Sequence, residues 1–156
     1  MMRFLVLLAS HALAAAAGFA LGVYALPILI APPGPLPEDV AAQARAAEYS
    51  GQFRRDLAGS DFLHWGEGTV SVGRQSVAFA GRLSPGPDYK LYLSPEFVET
   101  EADFERIRDR MLRVGDVRTF EGFVVPVPAS TDLDRYNTVV VWCESFGQFI
   151  TAARYR

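Results

Sequence analysis

An uncharged apolar segment at the N-terminus constrains the fold of this chain most. From Phe4 to Ala31 there is no Asp, Glu, Lys or Arg. A helix needs about 20 consecutive apolar residues to cross the hydrocarbon core of a bilayer, and this run is longer. We therefore predict that residues 1–31 are a transmembrane anchor or an uncleaved signal segment, with the membrane as a partner.

The charges on either side of this segment predict its orientation. Arg3 precedes the run, and Glu38 and Asp39 follow it. Positive charge favours the cytoplasmic side, so we expect a single-pass protein with a cytoplasmic N-terminus and its domain in the periplasm or extracellular space. The alternative is a cleaved signal peptide, for which Val23-Tyr24-Ala25 offers small residues at the usual spacing. The apolar region of a signal peptide spans only about 7–15 residues, which favours the anchor.

Two glycines within the apolar run suggest a second role for it. Gly18 and Gly22 have the Gly-x-x-x-Gly spacing that lets two membrane helices pack closely. A homodimer through this face is one hypothesis. The alternative is that the spacing arises by chance in a segment rich in alanine and glycine.

The residues from 32 to 48 predict a linker. Pro32–Pro37 is rich in proline and should form a stiff, extended spacer that lifts the domain off the membrane. Residues 38–48 are rich in alanine and predict a short helix, with Glu38 and Asp39 suited to its first turn. We place the folded domain at residues 49–156.

Short runs of alternating apolar and polar residues dominate this domain. The runs predict a β-hairpin at Thr69–Val72 with Gln75–Phe79 and a third strand at Asp88–Leu93. They also predict an edge strand flanked by prolines at Phe123–Val127, and a central strand apolar on both faces at Thr138–Trp142. Helical spacing and the N-cap Thr100 predict one helix from Thr100 to Val114. The fold class is therefore mainly β, a β-sandwich or small barrel of about seven to eight strands with one inserted α-helix.

The only cysteine, Cys143, follows the central strand directly. It cannot form a disulfide within its own chain. Because side chains alternate along a strand, Cys143 should point with Val139 and Val141, while Trp142 and Glu144 point the other way. The thiol is a redox group, a ligand, an intermolecular partner or an inert core residue, since free cysteine is often buried.

His64 is the only histidine outside the N-terminal segment. Cysteine with histidine is a minimal set for nucleophilic catalysis or for binding haem iron, whereas a hydrogen-bonded structural histidine is the alternative. No third group accompanies the pair, so we favour a protein that is not a stand-alone enzyme. Zinc takes about four nitrogen or sulfur ligands in structural sites, and the predicted domain has one cysteine and one histidine. We therefore predict no metal site. The net charge of -3 gives no reason to expect a nucleic-acid partner.

Several short motifs occur in an order that resembles the DM13 domain, over roughly residues 60–156. They are Gly68-Thr69-Val70, Gly86-Pro87-Asp88-Tyr89-Lys90-Leu91-Tyr92-Leu93-Ser94, Val114-Gly115-Asp116-Val117, Phe123–Pro128 and Tyr136–Phe146. The resemblance implies a β-rich extracytoplasmic domain proposed for electron transfer. The cysteine of the family falls on Cys143, where it would act as a bare thiol or as the ligand of a prosthetic group such as haem.

These observations lead to two hypotheses. The first is a membrane-anchored electron-transfer or thiol-redox domain that uses Cys143, with His64 as a second cofactor-binding residue and a separate protein as redox partner. The second is a non-catalytic structural or ligand-binding β-sandwich module, in which Cys143 is buried and inert.

Overall fold

A computed structural model describes residues 2–156, and Met1 lies outside the described residues. Three α-helices and eight strands follow one another along the described chain. They are α1 (Met2–Ile30), α2 (Pro37–Ala46), β1 (Tyr49–Phe53), β2 (Gly66–Val72), β3 (Ser76–Leu83), β4 (Tyr89–Ser94), α3 (Glu101–Ile107), β5 (Leu112–Val117), β6 (Phe123–Pro126), β7 (Thr138–Cys143) and β8 (Gln148–Arg154).

The strands form two four-stranded antiparallel sheets, in the orders β1-β2-β3-β6 and β5-β4-β7-β8. Their inner faces enclose one apolar core, in which the rings of Phe53 and Phe123 each lie 5.1 Å from the ring of Phe79. The mainly β fold class is confirmed as a sandwich of eight strands. The edge position predicted for the strand at Phe123 is confirmed as well, because β6 pairs with β3 alone.

Strand β7 is the central element that the apolar run predicted. It pairs with β4 on one side and β8 on the other, and all six of its residues are buried. Val139, Val141 and Cys143 face the core between the sheets. Trp142 faces a second apolar cluster that lies outside the sheet, beneath α3. Strand β7 thus lies between two apolar cores, and each of its faces packs against one of them.

The inserted helix is shorter than the sequence predicted. Thr100 caps it as expected, because its hydroxyl accepts a hydrogen bond from the Asp103 amide. The helix ends at Ile107, however, and Leu112–Val117 forms strand β5 instead of a last helical turn. The helical spacing of apolar residues misled the prediction here, because pairing of this segment with β4 satisfies its main chain and overrides local propensity.

Helix α1 is long and apolar enough to cross a membrane, a property that membrane anchors and signal sequences share. Its C-terminal part lies against the sandwich, where Pro27 is buried. Residues 31–36 join α1 to α2 without regular secondary structure, and Pro35 and Pro37 border a cleft with Arg55 and Trp65. Leu36, in this segment, has an extended backbone with φ -63° and ψ 143°, and the role of the linker as a spacer stays a prediction. The predicted linker helix is present as α2, and Gln43 accepts a hydrogen bond from Ser76 of β3 at 2.8 Å.

Among the described residues, the space beside the two glycines of the predicted dimer face is empty. A Cβ atom added at Gly18 or Gly22 would meet nothing within 4 Å. Close packing of a second helix is sterically free at this face, and the homodimer stays a prediction.

Candidate functional site

Cys143 is the last residue of β7 and lies at one end of the sandwich. It pairs with Tyr89 of β4 and with Gln148 of β8. Its side chain belongs to the core between the sheets, and the residue is only 3% exposed. The structure therefore confirms the orientation that strand alternation predicted for Cys143 and Trp142.

The turn after Cys143 is held in place by Asp88. The Glu144 amide donates to the Asp88 carbonyl oxygen at 3.0 Å, and the Ser145 hydroxyl donates to the Asp88 carboxylate at 3.0 Å. Gly147 closes the turn with a φ of +60°, in the left-handed region that glycine adopts at low cost. Asp88, which lies in the loop between β3 and β4, thus fixes the main chain after the thiol through both its carbonyl oxygen and its carboxylate.

Burial is the main influence on the Cys143 thiol, and it raises the pKa above the ordinary value. Main-chain hydrogen bonds from Phe146, Asp88 and Ser145 to the sulfur act in the opposite direction but do not cancel the effect. The thiol is therefore protonated at neutral pH. The same main-chain donors would stabilise a thiolate once a bound cation displaced the proton.

His64 lies in the loop between β1 and β2 and is oriented by Asp61. The Asp61 carboxylate accepts from the amides of Leu63 and His64, both at 2.7 Å, and its other oxygen lies 3.0 Å from His64 Nδ1. Partial burial raises the pKa of Asp61, but these hydrogen bonds outweigh it and hold that pKa below the ordinary range. With Nδ1 engaged, Nε2 is the imidazole nitrogen that a ligand can reach, the arrangement seen in many metal-binding histidines.

Cys143 and His64 line one opening at this end of the sandwich, which we name the Cys143 opening. Its volume is about 570 Å³, within the usual range for small-molecule sites. The walls are apolar and come from Leu63, Tyr89, Phe146, Ile150 and the part of α1 between Phe19 and Tyr24. The structure thus brings together the two residues that the sequence singled out.

Two other side chains that could act on or bind beside the thiol, Glu144 and Met111, lie elsewhere. Glu144 faces away, where it accepts a hydrogen bond from the Tyr92 hydroxyl and pairs with Arg108 at 2.6 Å. Met111 packs against the cluster beneath α3, on the opposite side of the sheet from Cys143. Among residues 2–156, no group of three His, Cys, Asp or Glu side chains is close enough together to hold a metal ion.

Sequence reasoning missed the two aspartates that support the site. Asp61 stands three residues before His64, a spacing that allows an aspartate to accept main-chain bonds and orient the imidazole. That local signal was available. Asp88 begins the strand predicted at Asp88–Leu93, but its contact with the turn after Cys143 joins residues far apart in the chain and follows only from the β4–β7 pairing.

An ion-pair cluster supports Asp88 in turn. Lys90 Nζ lies 2.6 Å from Asp88 and 2.9 Å from Asp116. Hydrogen bonds with Lys90 are the largest cause that lowers the pKa of both carboxyls, and Arg118 adds to the effect at Asp116. The same bond to Asp88 raises the pKa of Lys90.

This cluster predicts how stability varies with pH. Both carboxyls have folded-state pKa values below their ordinary 3.8, so their contribution is complete above about pH 4 and is lost at lower pH. The contribution from Lys90 is complete below its ordinary pKa of 10.5 and is lost at higher pH.

We expect Asp116→Asn to destabilise the domain by up to about 1 kcal/mol at pH 7 and by less at pH 3, in urea denaturation followed by circular dichroism. Glu121→Gln, at a well-exposed ion pair with Arg82, is the control. A deficit that is equal at both pH values would contradict the prediction.

The fold and the site define a class: a single-cysteine β-sandwich whose thiol borders an apolar opening next to an N-terminal apolar helix. A family model described as Electron transfer DM13 matches residues 57–155, and this chain belongs to that family. The predicted resemblance is confirmed. No curated protein and no solved structure matches the chain. Strand β1 and helix α2 precede the matched segment, and β1 completes one of the two sheets.

Proposed function

We propose that this protein is a membrane-anchored electron-transfer domain whose redox site is the Cys143 opening. Membership of the DM13 family supports the electron-transfer role. The observation that carries the site is the convergence of Cys143 and His64, from distant parts of the chain, on one apolar opening. Such an opening with a few oriented polar groups is the usual form of a small-molecule site.

Cys143 acts as a ligand in this proposal and not as an exchanging thiol. Thiol–disulfide exchange needs an accessible thiolate, and burial both hides this sulfur and raises its pKa. The chain also has no second cysteine to resolve a mixed disulfide. A small group bound in the opening can reach a sulfur that a protein surface cannot.

The residues present fit a haem-like prosthetic group, which the family resemblance suggests. Thiolate sulfur and imidazole nitrogen are both ligands of haem iron, and hydrogen bonds to a bound sulfur tune the reduction potential. Cys143, with its main-chain donors, and His64, held by Asp61, would hold the group. When bound, it would supply one-electron redox chemistry. The apolar walls exclude water, and a separate protein would donate or accept the electron.

The anchor and its orientation are part of the same proposal. The length and composition of α1 support a membrane span. Arg3 at its start and the acidic Glu38 and Asp39 beyond its end support a cytoplasmic N-terminus and a domain in the periplasm or extracellular space.

One observation favours the alternative of an inert structural module. Cys143 is almost fully buried among apolar side chains, which is the ordinary environment of an unreactive cysteine. In that case the sandwich would have a structural or ligand-binding role without any redox group. The thiol would only fill space in the core.

We expect the full chain, purified in detergent from cells supplied with haem precursor, to show a visible absorption band that Cys143→Ala abolishes. His64→Gln should shift or weaken the band, because it removes the nitrogen oriented by Asp61. Val139→Ala is the matched control, since Val139 lies on the same strand and face as Cys143 but at the far end of β7.

The alternative gives a different result in the same preparation. The protein would be colourless, reduction of partner proteins would not change in Cys143→Ala, and a maleimide would label Cys143 only after denaturation. A colourless protein whose Cys143→Ala variant behaves as the wild type would contradict the proposal.

A further inference from the structure

The sandwich exposes large apolar side chains at one place. Apart from α1 and Leu36, the described residues expose three of them: Phe62, Leu63 and Phe146, at 85%, 42% and 51%. They come from two loops that are distant in the chain. Leu63 and Phe146 both line the Cys143 opening, and Phe62 is the chain neighbour of Leu63. Leu63 and Phe146 therefore share one apolar surface at the end of the sandwich that carries Cys143, and Phe62 is exposed in the same loop as Leu63. We name these three side chains the rim patch.

The length of α1 indicates the depth of this patch relative to a bilayer. Arg3 precedes the apolar run. About 20 helical residues cover the roughly 30 Å of a hydrocarbon core. Counted from Phe4, the far boundary falls near Val23 and Tyr24. Tyrosine is enriched at that boundary, because its ring is apolar and its hydroxyl is polar.

The same segment of α1 borders the opening that the rim patch borders. The residues from Phe19 to Tyr24 line the Cys143 opening together with Leu63 and Phe146. No Asp, Glu, Lys or Arg of residues 2–156 lines that opening, and the Asp61 carboxylate beside Phe62 is paired with His64. The rim patch is thus continuous with the part of the anchor that reaches the membrane–water boundary.

We propose that the rim patch rests on the phospholipid surface of the membrane, with Phe62, Leu63 and Phe146 in the boundary between headgroups and acyl chains. The Cys143 opening then faces the bilayer, and an apolar molecule dissolved in the lipid reaches the thiol more readily than a solute from water. This inference rests on the proposed anchor, and the experiment below separates the two.

The full unmodified chain is reconstituted in phosphatidylcholine vesicles that contain a phospholipid with a photoreactive group near its glycerol backbone. After illumination, cross-linked residues are identified by mass spectrometry. We expect cross-links in α1 and also at residues 60–64 and 144–147. The turn at residues 73–75 is the internal control, because it lies at the opposite end of strands of about 20 Å and should not react.

Two results would overturn the inference in distinguishable ways. Cross-links confined to α1 would show that the anchor spans the membrane while the rim patch stays in water. Cross-links absent from α1 as well would refute the anchor and the inference together.

A second measurement tests the depth directly. In a Cys143→Ala background, an environment-sensitive fluorophore is attached at Phe146→Cys or, as the control, at Arg74→Cys, which is well exposed at the far end of the sandwich. We expect lipids brominated near the glycerol backbone to quench the label at 146 severalfold more strongly than the label at 74. Equal quenching at both positions would overturn the inference. So would shielding at 146 that appears only at high protein density, because it would assign the rim patch to a second copy of the chain.

Discussion

Trp142→Ala is expected to lower the free energy of unfolding by about 3–5 kcal/mol, the usual cost of removing a buried tryptophan side chain. Trp142 is 1% exposed, and its ring stacks on Phe104 with 3.9 Å between centroids and 5° between planes. The stack joins the central strand β7 to helix α3, so its loss opens a cavity under the helix. Guanidinium denaturation of the full chain in detergent, followed by circular dichroism, measures the change.

Two further variants distinguish the stack from simple loss of volume. Trp142→Phe keeps a ring in contact with Phe104 and should cost less than half as much. In a double-mutant cycle with Phe104→Ala, we expect a coupling energy of about 0.5–1.5 kcal/mol. A loss below about 1 kcal/mol for Trp142→Ala would show that the cluster beneath α3 does not contribute to the stability of the domain.

Gly68→Ala is expected to destabilise the domain by about 3 kcal/mol or more, from backbone strain and steric overlap together. Gly68 has a φ of +136°, a conformation that side chains rarely adopt. An added Cβ would collide with the Ala80 carbonyl oxygen and lie 2.6 Å from the Cα of Gly81, the residue opposite on β3. The two strands can approach here only because both residues lack a side chain. A thermal melt should show a midpoint lower by about 10 °C or more.

Gly34→Ala is the matched control for this substitution. Gly34 has no positive φ, and the nearest atom to its added Cβ is the Glu121 carbonyl oxygen at 4.0 Å. We expect its melting midpoint to equal that of the wild type. A midpoint for Gly68→Ala that falls as little as the control would mean that β2 and β3 separate at low cost.

The sequence was sufficient for the fold class because the signals were local. Alternation along short runs predicted the strands, and the apolar run before Cys143 predicted a central strand buried on both faces, as β7 is. The segment after Ile107 was predicted wrongly, because its helical spacing is local whereas its pairing with β4 depends on residues some twenty positions earlier. The cleft that Pro35 and Pro37 border with Arg55 and Trp65 was not predicted, since only the folded sandwich provides its other wall.

The candidate site was predictable in its residue types but not in its geometry. Cys143 and His64 stood out as single residues of their kinds, and alternation placed the thiol on the correct face of β7. Their meeting at one opening depends on the loop before β2 and the end of β7 reaching the same end of the sandwich. The burial that raises the thiol pKa is likewise a property of the assembled core.

The positions of the two tryptophans have a practical consequence. Trp65 follows His64 directly, Trp142 precedes Cys143 directly, and the chain contains no other tryptophan. Arg55 covers the Trp65 ring at 3.4 Å, and Trp142 is enclosed beneath α3, so the two indoles differ in environment. A chromophore held in the opening that absorbs where indoles emit, as haem does, would accept excitation energy from them. The intrinsic fluorescence of the chain is therefore a label-free optical sensor of whether the opening is filled.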